Sequence, residues 1–555
     1  MSDRVHLRPW QRDAFDLFTA AESPDYLAVA TPGAGKTTFA LACARWALSQ
    51  HRRRLIVVAP TSHLKVQWAQ AAHRMGLELD HVWSPNDGVA KDVHGLITTY
   101  QQVATGDTAR KLRGVAADAF VILDEIHHAG DEKAWGDGVR TAFELANRRL
   151  CLSGTPFRSD TAAIPFVRYT ELGMGGEAQP DYTYGYAEAL RDGGVVRPVY
   201  FPRFDGLMEW SSPDGNVQSA AFSDELDRSG AAQRLRTALS LEGDWLASVV
   251  GQAQERLTAI RRHQPDAGGL AIAMDQDHAR GIARLLRTRY GMEADVVVSD
   301  DPEASKKIAA FAAGTTPWLV AVRMVSEGVD IPRLRVGVYA TTVSTELFFR
   351  QAVGRFVRWQ RGMTSQKAYV FIPDDPRLRA HAFQIADARR HVLRPPPDEH
   401  DDDAVAALAR DLADAARAEE VPEQLSLFSV LSAVATGMTV HAFTEQGLTL
   451  FDDEPEIPEP QLADDPHYNV DLPDVPTDAG FSLTGSKSVA EVKEELRERN
   501  LDIAKRLIAV TGMGHAKLNA ELNRLAGMVS VGGATNDQLR RRASHGEAWL
   551  QRLRR

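Results

Sequence analysis

The sequence predicts an α/β protein with two tandem parallel-sheet domains, followed by an acidic linker and a small helical C-terminal region. Three observations predict it. Apolar runs of strand length recur at residues 26–30, 55–59, 95–97, 120–123, 150–152 and 270–274, and most end in a polar cluster. Open α/β sheets place their sites at such strand ends. The first run leads through a glycine turn into an apolar helical pattern over residues 39–47. At 555 residues the chain also exceeds one ordinary core, so two or three domains are expected.

The glycine turn reads Ala30-Thr31-Pro32-Gly33-Ala34-Gly35-Lys36-Thr37-Thr38. Strand, Gly-rich turn and helix together make a phosphate site, because backbone N–H groups and the helix N-terminus converge on an anion. Gly33 and Gly35 allow the curl, and Lys36 is placed for the β- and γ-phosphates. The Thr37 hydroxyl is the expected Mg²⁺ contact, and Thr31, Ala34 and Thr38 complete the candidate triphosphate contacts. Ala30 stands where the usual pattern has its first glycine, while the inner Gly-x-Gly-Lys-Thr is intact.

Around this turn the elements follow in order. A short amphipathic helix begins near Asp13, and Gln11 ahead of it carries an amide that both donates and accepts, suited to an adenine edge. Thr61 follows the second strand, and Thr98 and Thr99 end the third. Such hydroxyls suit a nucleic-acid backbone, because they bind phosphate without reading sequence. The fourth strand ends in Asp124-Glu125-Ile126-His127-His128. Asp124 can hold Mg²⁺ alongside Thr37, Glu125 can orient or deprotonate an attacking water, and His127 can relay to a neighbouring domain. Ser153 and Thr155 follow the fifth strand as candidates for coupling.

Taken as an ordered set, Gln11, the glycine turn, Asp124-Glu125-Ile126-His127 and Ser153-Gly154-Thr155-Pro156 resemble the motifs of superfamily 2 helicases of the DExH branch, with XPB-like and type III restriction motors among its relatives. Residues 325–332 resemble motif V, with Gly328 and Asp330 as ATP contacts, and Gln351-x-x-Gly354-Arg355-x-x-Arg358 matches motif VI. The resemblance covers residues 7–375 and implies two RecA-like domains that hydrolyse ATP with Mg²⁺. It implies that Arg358 is the arginine finger, Arg355 its phosphate-binding neighbour and Gln351 a coupling residue. The physical need is a cation to meet charge developing on the γ-phosphoryl.

The domains expected are 1–160 and 251–395 for the two sheets, with a linker or small insertion at 161–250. Residues 396–484 read as an acidic, partly disordered linker, and 485–555 as a basic helical tail. Within the linker, Gln424-Leu425-Ser426-Leu427-Phe428 is similar to the short peptide that docks bacterial replication and repair proteins on the sliding clamp. The same apolar residues can instead pack on the protein's own core. The tail carries fourteen Lys/Arg against eight Asp/Glu from residue 486 onward, which suits either nucleic-acid phosphates or a solvated helix face.

The net charge of −11 is concentrated rather than general. Residues 451–480 hold ten acids with no Lys or Arg, and residues 398–403 hold five more, so the remainder is +4. No apolar run is long enough to span a bilayer, and Cys43 and Cys151 alone make neither a disulfide framework nor a Cys-based zinc site. A reducing cytoplasm is the expected compartment. The function expected is an ATP-dependent translocase or helicase, on DNA. The alternatives are a motor subunit of a restriction or phage-defence complex, a non-unwinding protein–DNA remodelling ATPase, and an RNA helicase.

Overall fold

A computed structural model describes residues 4–50, 54–85, 88–130, 133–154, 158–159, 163–170, 176–211, 216–298, 301, 303–322, 331–360, 362–363, 366–393, 429–440, 469–471 and 488–554. The chain divides into two compact units. The first comprises Met1–Ala30, Gly35–Thr183 and Asp464–Arg555, and the second Thr31–Ala34 and Tyr184–Ala463.

The first unit opens with β1 (Arg4–His6), α1 (Pro9–Ala20), β2 (Asp25–Ala30) and α2 (Lys36–Gln50). It continues through β3 (Arg54–Ala59), α3 (Ser62–Arg74), β4 (Leu79–Asp80), β5 (Gly95–Thr99), α4 (Tyr100–Val103) and α5 (Gly106–Ala116). Then come β6 (Ala119–Leu123), α6 (Lys133–Phe143), β7 (Arg148–Ser153), the small strands β8 (Arg158–Ser159), β9 (Tyr169–Thr170) and β10 (Gly176–Ala178), and β11 (Tyr182–Tyr184). Its main sheet has the order β11-β2-β7-β6-β3-β5-β4. The pairings from β2 through β4 are all parallel. Strands buried on both faces explain why β2, β3, β6 and β7 read as continuous apolar runs rather than alternating ones. Leu27, Val29, Ile56, Val58, Val121, Leu123 and Cys151 form the core on one face.

The second unit contains α7 (Tyr186–Arg191), β12 (Val199–Tyr200), β13 (Pro202–Ser211), β14 (Val217–Ala221), α8 (Arg228–Ala238) and α9 (Asp244–Arg261). After them come β15 (Gly268–Ala273), α10 (Gln276–Tyr290), β16 (Ala294–Val297), α11 (Ala304–Ala313), β17 (Trp318–Val322), β18 (Leu334–Ala340), α12 (Glu346–Val353), β19 (Ala368–Pro373), α13 (Pro376–Leu393) and β20 (Ser429–Val440). The sheet runs β14-β13-β19-β18-β15-β17-β16, with β12 also on β19 and β20 also on β13. Its centre is parallel, whereas β14 and β20 pair antiparallel to β13. Trp210, Trp245, Trp318 and Phe371 anchor its core.

Two features depart from the expected organisation. Residues 429–440 lie inside the stretch read as linker, yet they form a strand along the whole of β13. Likewise β21 (Asn469–Asp471) pairs antiparallel with β1. The basic tail forms three helices, α14 (Val489–Thr511), α15 (His515–Ala526) and α16 (Asn536–Arg554), which belong to the first unit. The cause is specific pairing at the β4 edge. The Val489 amide donates to Glu78 Oε2 at 3.0 Å, and Lys493 Nζ donates to Asp92 Oδ1 at 3.1 Å, with the lysine fully buried. Among the described residues, no helix is long and apolar enough to cross a membrane.

Candidate functional site

Chain direction at the end of β2 is set by two left-handed glycines, Gly33 at φ +85° and Gly35 at φ +97°. Residues with a Cβ rarely adopt such values. A Cβ on Gly35 would also lie 2.7 Å from Gln11 Nε2, so the position requires glycine twice over. The turn feeds directly into α2, whose Phe39, Leu41, Cys43 and Leu48 are buried and fix the helix start beneath the sheet ends. Gln11 braces this turn: its Nε2 donates to the Gly35 carbonyl at 2.9 Å, and its Oε1 accepts from the Arg8 amide at 2.8 Å. One N–H and one lone pair of the amide remain.

Lys36 and the acidic strand end meet in the first unit. Lys36 Nζ donates to Glu125 Oε1 at 2.8 Å, and Glu125 Oε2 accepts from the Gly154 amide at 2.8 Å. His127 Nδ1 lies 3.1 Å from Ser153 Oγ and 3.7 Å from Glu125 Oε2. Residues 36, 125, 127, 153 and 154, drawn from three strand ends, thus form one network. Glu125 itself sits at φ +47°, a left-handed backbone that costs a non-glycine residue about 1–2 kcal/mol.

Asp124 is more enclosed. Its Oδ2 accepts from Trp68 Nε1 at 2.8 Å, and its own carbonyl accepts from the Tyr100 hydroxyl at 2.9 Å. Burial drives the Asp124 carboxyl up to about 6, with the adjacent Glu125 charge adding to the rise against Lys36 and the Trp68 hydrogen bond. Burial pushes Glu125 the same way, but the Lys36 charge and, after it, His127 prevail and hold that carboxyl down at about 2. Asp124 therefore carries a costly buried charge near neutral pH, which is the condition a bound cation relieves. With the Thr37 hydroxyl close in sequence to Lys36, this donor set fits Mg²⁺, which keeps several waters and phosphate oxygens as its other ligands. Among the described residues no group of three or more His, Cys, Asp or Glu is placed to hold a metal by itself.

Motif VI lies in the second unit. Gln351 is on α12 and half-buried. Just beyond that helix, Phe356 and Val357 are buried, while Arg355 and Arg358 keep partial exposure. The Arg197 amide donates to the Val357 carbonyl at 2.8 Å, and Arg358 forms an antiparallel bridge with Val196, so the backbone carrying both arginines is pinned.

Other expectations meet different outcomes. Thr61 caps α3 with no side-chain cap bond and is half-buried. Thr98 and Thr99 are buried rather than presented to solvent. Thr98 Oγ1 donates to Gln102 Oε1 at 3.1 Å, and Thr99 Oγ1 accepts from the Gln102 amide at 3.2 Å. The Thr99 hydroxyl caps α4, because a strand leading straight into a helix leaves N–H groups that need acceptors, while the Thr98 hydroxyl holds the Gln102 side chain. Thr155, Gly328, Asp330 and the peptide Gln424, Leu425, Ser426, Leu427 and Phe428 lie outside the described residues. Trp68 and Tyr100, which hold Asp124, were legible only as apolar positions, since no spacing rule points an indole N–H at a carboxylate elsewhere in the chain.

The first unit's parallel sheet carries the strand–glycine turn–helix and the acidic strand end, and the second unit carries paired arginines just beyond α12. Residues 4–158 match the family described as "Type III restriction enzyme, res subunit". "Uncharacterized protein Rv2917" of Mycobacterium tuberculosis (strain ATCC 25618 / H37Rv) is 50% identical over 393 residues, 70% of this chain and 65% of that protein. "Uncharacterized protein ML1624" of Mycobacterium leprae (strain TN) is 47% identical over 406 residues, 72% of this chain and 67% of that protein. The chain thus spans about two thirds of the length of these relatives. Among solved structures, a fragment of a putative HsdR subunit of a type I restriction enzyme from Vibrio vulnificus YJ016 is similar at 17% identity and a TM-score of 0.45, covering 67% of this chain and 65% of that one. The chain belongs to the same family as the Mycobacterium leprae protein ML1624, and its residues 4–158 match the restriction res-subunit family.

Proposed function

We propose that this protein is an ATP-driven translocase or helicase acting on nucleic acid, with DNA as its substrate. The observation that carries the reading is the Lys36–Glu125–Gly154 network. It joins a phosphate-binding lysine, a carboxylate suited to orient water, and the strand end that follows. Lys36 and Glu125 neutralise each other across their 2.8 Å contact. An arriving triphosphate competes for Lys36, and the turn amides of Gly33 and Gly35 bind its oxygens, those of Thr31, Ala34 and Thr38 donating instead to the carbonyls of Tyr184, Thr31 and Gly35. Glu125 is then released to orient the attacking water. Thr37 and Asp124 would hold Mg²⁺, which supplies charge neutralisation at the β- and γ-oxygens.

Arg355 and Arg358 supply the cations that stabilise charge on the departing γ-phosphoryl, and Gly328 and Asp330 contact the nucleotide from the same unit. The free N–H and lone pair of Gln11 serve the adenine edge. The Ser153–His127 contact, together with Thr155 and Gln351, communicates nucleotide state, because both partners border the strand end that Glu125 grips. Differential affinity of ATP for a closed state turns hydrolysis into stepping along a strand. Nucleic-acid phosphates contact Thr61 and the first amides of α3, while Thr98 and Thr99 shape the neighbouring loop through Gln102.

The peptide Gln424–Leu425–Ser426–Leu427–Phe428 is proposed as a tether to a bacterial sliding clamp, and the likeness of its residues to clamp-docking peptides tilts the substrate to DNA. Buried free thiols at Cys43 and Cys151 fit a reducing cytoplasm. The test is ATP hydrolysis by the full chain with no polymer, with single-stranded DNA and with single-stranded RNA. Stimulation greater by DNA than by RNA is the expected result. Stimulation by RNA alone would move the assignment to an RNA helicase, and stimulation by neither would remove the motor reading.

A further inference from the structure

Asp124 is hydrogen-bonded at three points, and none of its partners comes from the glycine turn. Its amide donates to the Val58 carbonyl at 2.9 Å, its carbonyl accepts from the Tyr100 hydroxyl at 2.9 Å, and its Oδ2 accepts from Trp68 Nε1 at 2.8 Å. Val58 belongs to β3, Trp68 to the helix α3 that follows β3, and Tyr100 opens the helix α4 that follows β5. Glu125, one residue on, is held differently, with one carboxylate oxygen on Lys36 and the other on the Gly154 amide. The acidic pair is therefore divided. Glu125 is gripped from the glycine turn and the end of β7, and Asp124 from the elements that begin at Thr61 and at Thr98 and Thr99.

The route from those strand ends to Asp124 is short and stiff. Trp68 stands seven residues after Thr61, which is about two turns or ~10 Å along α3. Lys65, Trp68, Ala69 and Ala72 are buried along the same helix, so its start and its indole move together. Tyr100 is fully buried, its ring stacked on Trp135 at 6.4 Å between centroids and tilted against His128 at 6.4 Å. A buried indole N–H needs an acceptor, and any carbonyl would serve. Here it goes to the carboxylate expected to hold Mg²⁺. A contact stretched to about 3.6 Å is no longer a hydrogen bond, so a displacement of α3 by about 1 Å undoes it. Shifts of about 1–2 Å are the ordinary scale of helix switching.

We propose that Trp68 and Tyr100 are positioning residues through which a bound single strand sets the orientation of the Asp124 carboxylate, coupling polymer binding to nucleotide binding. The coupling rests on the nucleic-acid reading above and adds to it the side chains that carry the signal. Phosphates at Thr61 and the first amides of α3 pull on the helix that bears Trp68, and the loop at Thr98 and Thr99 is continuous with Tyr100. Both aromatic side chains are buried, Trp68 at 2% exposure and Tyr100 at 0%, so neither contacts the polymer itself. Their loss therefore weakens the linkage between the two ligands and leaves the strand's own affinity in place. Linkage is reciprocal, so the same factor is read from either ligand.

The test titrates a fluorescent, non-hydrolysable ATP analogue with Mg²⁺ into the full chain with and without saturating oligothymidylate. The reciprocal titration adds oligothymidylate with and without the analogue. Wild type is compared with Trp68→Phe and Tyr100→Phe, each of which keeps a buried ring and deletes one N–H or O–H, and melting curves check the fold. In wild type each ligand is expected to tighten the other by about tenfold. In each variant that factor is expected to fall to about threefold or less, with affinity for oligothymidylate alone within about twofold of wild type. Wild-type coupling in both variants overturns the positioning role alone, as does a loss of strand affinity with coupling unchanged. Independent binding of the two ligands to wild type also overturns the coupling alone. Failure of wild type to bind the strand overturns both the coupling and the reading beneath it.

Discussion

Lys36 and Glu125 are each other's counter-ion, and the proposed function has a triphosphate displace that pairing. Lys36→Ala removes the cation proposed to recruit phosphate and leaves Glu125 held by the Gly154 amide with His127 beside it. Turnover is expected to fall by about 10²-fold or more, with the melting temperature within a few degrees of wild type. Steady-state hydrolysis and thermal melting check both parts. Asp124 behaves differently because its carboxyl is pushed up to about 6. An acid raised in the folded state lends stability when protonated, and that stability is lost as pH rises through about 6. At pH 7.5 the nucleotide-free chain carries the cost, so Asp124→Asn is expected to stabilise it by about 1–3 kcal/mol, with the gain shrinking towards pH 5. Hydrolysis is lost at the same time. A destabilised Asp124→Asn chain at pH 7.5 would show that Trp68 and its surroundings do not strain that carboxylate.

At the scale of elements, the three C-terminal helices form one body with the first sheet. Asp92 accepts from Lys493 Nζ at 3.1 Å and from the Asn536 amide at 2.7 Å, so one carboxylate fixes the starts of both α14 and α16. Removing one member of a buried pair leaves an uncompensated charge, typically at a cost of about 3–5 kcal/mol. Lys493→Ala is therefore expected to detach the helices before the sheet melts. Limited proteolysis should then cut near residue 488 in the variant and not in wild type, and equal resistance of the two would deny the pairing its anchoring role. On the second sheet, β20 runs antiparallel along β13 with irregularities at Asp205/Gly206 and Glu209/Trp210. Gly206 admits that strand: a Cβ there would fall 2.6 Å from the Val434 carbonyl and 2.5 Å from the Trp245 ring. Gly206→Ala is expected to destabilise the second unit by about 1–3 kcal/mol, read as a lower denaturation midpoint.

Across the whole molecule, what the sequence made legible was whatever is encoded locally. The glycine turn, the strand before it and the helix after it are contiguous, so Lys36 and Thr37 could be placed from spacing alone. The same holds for Asp124-Glu125 after its apolar strand and for the order of the motor motifs. Contacts between distant positions were not legible. Trp68 and Asp124 are 56 residues apart, and Lys493 and Asp92 are 401 apart. Nothing in either residue's neighbourhood names its partner. Residues 429–440 were hidden by context, since a small, hydroxyl-rich run amid acidic segments carries a weak strand signal. Polar strand ends usually face ligands, whereas at Thr98 and Thr99 the following helix engages both hydroxyls through Gln102.

The proposed function requires the Arg358 cation for hydrolysis of a triphosphate bound at the glycine turn. The most direct measurement is hydrolysis by Arg358→Ala at saturating single-stranded DNA, beside equilibrium binding of a non-hydrolysable ATP analogue. The account predicts a loss of about 10³-fold in turnover, with analogue affinity within about tenfold of wild type. Turnover within a few-fold of wild type would contradict it.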